Sequence, residues 1–169
     1  MEGLSEDFEQ MYGIAAEMAG IVEPHIFDHS LSLEQRSRIY KLDIKVNKLE
    51  RSIRKRVVAH VTTQKGHIPY CLLLMSLVKD VERIGDYIKN ISEVSELGGG
   101  PVPDGELRQE LAELADTAMM LMDQVYQVFK EQDQERANEL VQIGRMAGKR
   151  CDHLLVALAK SDFTATQTT

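Results

Sequence analysis

The sequence predicts an all-α fold, an antiparallel helical bundle. Three observations predict it. Apolar residues recur at alternating steps of three and four along almost the whole chain, which places one apolar seam on each helix. No segment sustains the alternation of period two that a half-buried strand requires. Leu, Glu, Lys, Ala and Met dominate, aromatic residues make up 5%, and Trp is absent, a composition that favours helix over strand.

The elements follow in order. The first seam is Phe8, Met11, Ala15, Met18 and Val22, and Pro24 should end or kink that helix because it lacks an N–H and crowds the preceding turn. Ser32, with Gln35 at the capping-box position, opens a second helix whose seam is Ile39, Leu42, Val46, Leu49 and Ile53, and Gly66 should close it. Pro69 sits in the first turn of the third helix, where a missing N–H costs little. Its expected seam is Leu74, Leu77, Val81, Ile84, Ile88 and Ile91. The run Leu97 to Gly105 loses all periodicity and concentrates Gly and Pro, so it reads as a linker. No strand precedes it and no Lys-Ser or Lys-Thr follows, which argues against a phosphate-cradling loop.

A fourth seam (Leu107, Leu111, Leu114, Ala118, Leu121, Val125, Val128) and a fifth (Ala137, Leu140, Gly144, Ala147, Cys151, Leu154, Leu158) come next, with Asp133 as the cap of the fifth helix. Shifting the second helix by 105 positions lays Ile39 on Gly144, Val46 on Cys151 and Ile53 on Leu158, a faint internal repeat. The same shift carries the third helix past Thr169. The expected organisation is therefore a three-helix bundle over 1–96, a linker over 97–105, and two helices of a second copy over 106–169.

Composition narrows the function. A net charge of −7 opposes general nucleic-acid binding, since an acidic field repels a polyanion. The longest apolar stretch, Ile68 to Val78, is broken by Tyr70 and Ser76 and is about half the ~20 residues a membrane span needs. The acidic first ten residues have no secretion-signal pattern, so a cytoplasmic location is expected. Cys71 and Cys151 fall at apolar helical positions and read as buried free thiols.

The chemistry-bearing residues lie on the second and third helices. In the run Lys79-Asp80-Val81-Glu82-Arg83-Ile84-Gly85-Asp86-Tyr87-Ile88-Lys89-Asn90, Glu82 and Asp86 stand one turn apart and share a helix face. Like charges at that spacing repel unless something positive lies between them. A hard cation bound through oxygen would serve, and so would a neighbouring Arg or Lys. The second helix carries Asp43, Asn47 and Glu50 at similar steps, and two such ladders on consecutive helices can converge, as in carboxylate metal sites of bundles. Spacing alone favours a solvated charged face. The sharper expectation is a metal site at Asp43, Glu82 and Asp86, for an iron, manganese, zinc or magnesium ion. Of the histidines, His25 and His29 read as a loop or helix-end pair, because no glutamate accompanies them as in a zinc-protease motif. The basic run Lys45, Lys48, Arg51, Arg54, Lys55 and Arg56 reads as a solvated face, or more sharply as a contact surface for an anionic partner.

The segment from Leu77 through Asp86, followed by Asn90-Ile91, resembles the signature of the PhoU family of phosphate-uptake regulators. Asp43-x-x-Val46-Asn47-x-Leu49-Glu50 resembles that family's companion motif upstream. The resemblance covers the first three helices by motif and the last two by architecture. It implies a non-enzymatic role in phosphate transport regulation. A phosphate transporter ATPase and a sensor kinase are the implied partners, and a metal the implied ligand of the carboxylates. Two departures bear on that metal: Asn47 stands where the family pattern prefers Asp, and Gly148 stands where the second copy would place its equivalent of Asp43. A metal is thus expected at the first half only. A homo-oligomer is expected from the uncovered seams of the last two helices. The rival readings are a di-iron enzyme, a metal-free adaptor, and the PhoU-like tail of a sodium–phosphate cotransporter. The enzyme would need Glu-x-x-His pairs, which the sequence lacks; a spanning segment, which the cotransporter would need elsewhere in its chain, is not found in these residues.

Overall fold

The computed structural model describes residues 2–63, 67–94 and 96–160. It contains α1 (Glu2–Val22), a single 3-10 turn (Glu23–His25), α2 (Leu33–Thr63), α3 (Ile68–Glu93), α4 (Glu106–Glu131) and α5 (Gln134–Lys160), with no strand among the described residues. The all-α expectation holds. The chain divides into two compact units, residues 1–103 and 104–169.

In the first unit α1 packs on both α2 and α3, and α2 packs on α3. Local chemistry starts and stops these helices where side chains can satisfy the orphan backbone groups. Ser32 and Gln35 form the reciprocal capping box: the Ser32 N–H donates to Gln35 Oε1 at 2.8 Å and the Gln35 N–H donates to Ser32 Oγ at 3.2 Å. Pro24 falls in the 3-10 turn directly after α1, and Pro69 lies in the first turn of α3. Gly66 lies outside the described residues. Past α3, the Gly99 N–H donates to the Val94 carbonyl at 2.9 Å. A Cβ on Gly99 would strike the Val94 side chain and stand 2.8 Å from its carbonyl, so only glycine fits this helix end. Val102 donates to the Phe27 carbonyl at 2.8 Å, which ties much of the predicted linker to the first unit.

The core of this unit contains the whole first seam, with Met11 and Met18 fully enclosed, together with Ile39, Val46, Ile53, Cys71, Leu74 and Val78. Leu49 is half-buried. The third seam differs from expectation. Leu77 and Ile84 are half-buried and Ile91 is 40% exposed, while Val78, Glu82, Gly85 and Ser92 are buried. The reason is that α3 faces two helices at once, so its buried sector extends one position beyond the apolar stripe. Gly85 makes this possible: a Cβ placed there would already be in van der Waals contact with Val46 Cγ1 at 3.6 Å, so a larger residue would push α2 and α3 apart.

The second unit is the α4–α5 pair. Asp133 caps α5 through its Oδ1, which accepts the Arg136 N–H at 2.9 Å. Leu114 and Leu140 are the buried apolar residues described in this unit. Cys151, expected inside, is exposed, whereas Cys71 is buried. Cys151 lies on the expected α5 seam, but a hairpin of two helices covers only one side of each.

Candidate functional site

α2 and α3 bring their carboxylate ladders together around a lysine. Asp43 and Glu82 are each only 9% exposed, close to the limit at which an ionised carboxylate must have a partner. The Lys89 ammonium, on α3 one turn beyond Asp86, supplies it. Its Nζ lies 3.6 Å from Asp43 Oδ2 and 3.3 Å from Asp86 Oδ1, and so links the two helices. Lys79, one turn before Glu82 on the same helix, pairs with the Glu82 carboxylate.

The electrostatics follow from this arrangement. Burial raises the Asp43 carboxyl above its usual value. Lys89 opposes the shift, while Asp86 and Glu82 reinforce it, so all three acidic groups share one electrostatic neighbourhood. Burial also works against the charge of Lys89, but the Asp43 carboxylate and the hydrogen bond to Asp86 outweigh it and hold the ammonium above its ordinary range.

The remaining members of the second-helix ladder turn elsewhere. The Asn47 amide donates to the backbone carbonyl of Asp43 at 3.1 Å, and Glu50 pairs with Arg54 at 3.3 Å. Among the described residues, no three His, Cys, Asp or Glu side chains draw together closely enough to hold a metal ion. The carboxylates expected to bind a metal are therefore neighbours, but as arranged they do not form a metal cage. Lys89 was the residue that spacing could have indicated, since it follows Asp86 by three and Glu82 by seven and so shares their face.

A second feature lies on an exposed face of α2. Arg54 and Arg56 of the predicted basic run are engaged, the latter by Asp7 and the Gly3 carbonyl. Lys41, Lys45, Lys48, Arg51 and Lys55 are exposed and form no ion pair with another described residue. Their steps of three and four keep them on one face, about 21 Å long at the helical rise. Exposed Ile44 and Val58 share that face, at 53% and 55%.

His25 is a structural loop residue. With its proton on Nδ1 it donates to Ser30 Oγ at 2.8 Å, while Nε2 accepts from the Gln35 amide at 3.0 Å. His29 lies just beyond it in a left-handed backbone conformation (φ 47°), which fits the loop-pair expectation.

The PhoU domain family model matches residues 9–95, more than half of the chain, and that range contains both carboxylate ladders. The chain belongs to the PhoU domain family. The matched range runs from within α1 to just past α3, so it covers the three-helix unit and leaves α4 and α5 outside. No curated protein and no solved structure matches the chain. No described helix is long and apolar enough to cross a membrane.

Proposed function

We propose that this chain restrains phosphate uptake and phosphate signalling through protein contacts, without catalysis, from the cytoplasm. The observation that carries the reading is membership of the PhoU domain family, which belongs to phosphate-transport regulation. Its partners on this reading are the ATPase of a phosphate transporter and the associated sensor kinase. The basic face of α2, whose cations form no ion pair with another described residue, supports a protein-contact role. Five cations flanked by exposed Ile44 and Val58 offer charge complementarity to an acidic segment together with apolar area. The same reading includes self-association through α4 and α5. Val125, Val141, Met146, Leu155 and Val156 on these helices are exposed, and each of the two helices has one packing neighbour within its unit.

Deletion of the gene in its native cell tests the proposal. Loss of the chain should release phosphate-uptake genes under phosphate sufficiency, and the wild-type copy should restore repression. A Lys45→Glu/Lys48→Glu/Arg51→Glu variant should fold normally and fail to restore it. Unchanged uptake and expression after deletion would remove the proposal. Sedimentation equilibrium addresses the self-association separately, and a strictly monomeric chain at micromolar concentration would exclude it.

A further inference from the structure

We propose that the Lys89 ammonium, and not a divalent metal ion, is the resident cation of the α2–α3 carboxylate cluster. Every acidic group of the two ladders already has a cation supplied by the chain itself. Lys89 serves Asp43 and Asp86, Lys79 serves Glu82, and Arg54 serves Glu50. A divalent ion would need several of these oxygens at about 2.0–2.6 Å. To gather Asp43 from α2 and Asp86 from α3 it would have to occupy the space where Lys89 Nζ bridges them at 3.6 and 3.3 Å. Two cations cannot share that position without strong repulsion.

The ligand set points the same way. Asn47 brings a neutral amide and no anionic oxygen, and its Nδ2 donates to the Asp43 carbonyl of its own helix. The Lys89 side chain is 22% exposed, and its ammonium is shared between the Asp43 and Asp86 carboxylates. Gly85 supports the geometry, because the close approach of α3 to Val46 lets a lysine on α3 reach an aspartate on α2. A cation carried on the chain cannot be exchanged. The α2–α3 junction therefore keeps one electrostatic state whatever the metal supply, and this holds whether or not the chain acts in phosphate regulation.

The test uses the full chain, purified without chelators from cells grown with added manganese, iron and zinc, beside Lys89→Met, Lys89→Arg and Lys89→Met/Asp43→Asn. The wild type should carry no stoichiometric metal, and millimolar Mn2+ or Mg2+ should leave its Tm unchanged. Lys89→Met should lower Tm by about 5 °C, because it strands a buried carboxylate. The double variant, which removes both charges, should recover most of that loss, and Lys89→Arg should recover part. Wild-type chain holding stoichiometric metal that Asp43→Asn abolishes would overturn the proposal. So would a Lys89→Met chain as stable in chelator as the wild type. If Lys89→Met fails to fold, the double variant decides: a folded protein with a Tm near wild type supports the charge pairing, and failure of both overturns it.

Discussion

The two units use the same kind of helix and reach different degrees of closure. In residues 1–103 each helix has two neighbours, and Met11, Met18, Ile39, Val46, Ile53, Leu74 and Val78 are almost wholly enclosed. In residues 104–169 each helix has one neighbour within its unit, and Leu114 and Leu140 are the buried apolar residues described there. Seams with the same three-and-four spacing therefore do not guarantee a core. A third helical surface is what encloses the flanks of each seam, and it also makes room for a buried charge cluster in the first unit.

Core truncation should give the largest contrast. Ile53→Ala, at a fully buried position, should cost ~2–5 kcal/mol in chemical denaturation. Val125→Ala, 43% exposed, should stay within about 0.5 kcal/mol of wild type. A comparable cost at Val125 would show that something covers the α4–α5 seam in solution, and would break the comparison.

Glycines offer a sharper version. Gly85→Leu should cost about 1–3 kcal/mol because its side chain must displace Val46. Gly148, with nothing within 4 Å of an added Cβ, should accept Ala with a gain of about 0.5–1 kcal/mol from helix propensity. A destabilising Gly148→Ala would reveal a partner surface at that position.

Helix caps should erase the difference between units, since they act locally. Ser32→Ala and Asp133→Ala should each cost ~1 kcal/mol. A much smaller effect at Asp133 would mean that α5 is weakly populated on its own.

The smallest effect concerns protonation. The carboxyl of Asp43 is raised in the folded chain above 3.8, so this group's own contribution to stability is full below that pH and is lost as pH rises through the raised folded value. Lys89 is raised above 10.5, and its contribution is present below that pH and lost as pH rises through its own folded value. Carboxyl NMR should place the Asp43 midpoint above 3.8 in wild type. It should move higher still in Lys89→Met, because Lys89 is the group that opposes the shift while Asp86 and Glu82 reinforce it. A midpoint that does not move would separate Lys89 from Asp43.

The sequence by itself determined the five helices and their principal punctuation. Helix start signals and apolar spacing are local, so Ser32, Pro24, Pro69 and Asp133 could be read from their neighbours in the chain. The first seam was legible for the same reason, and the family signature stood in one continuous run. Tertiary structure decided the rotation of α3, the fate of Cys151 and the partner of Asp43. A helical stripe spans a wide arc, and only the position of neighbouring helices selects which edge of it is buried. That is why Gly85 and Ser92 lie inside while Ile84 is half-buried and Ile91 exposed. Cys151 occupies an apolar position whose burial required a covering surface that α4 alone does not supply. The pairing of Lys89 with Asp43 joins residues far apart in the chain, and it exists because a glycine on α3 lets two helices approach closely enough for one ammonium to reach both carboxylates.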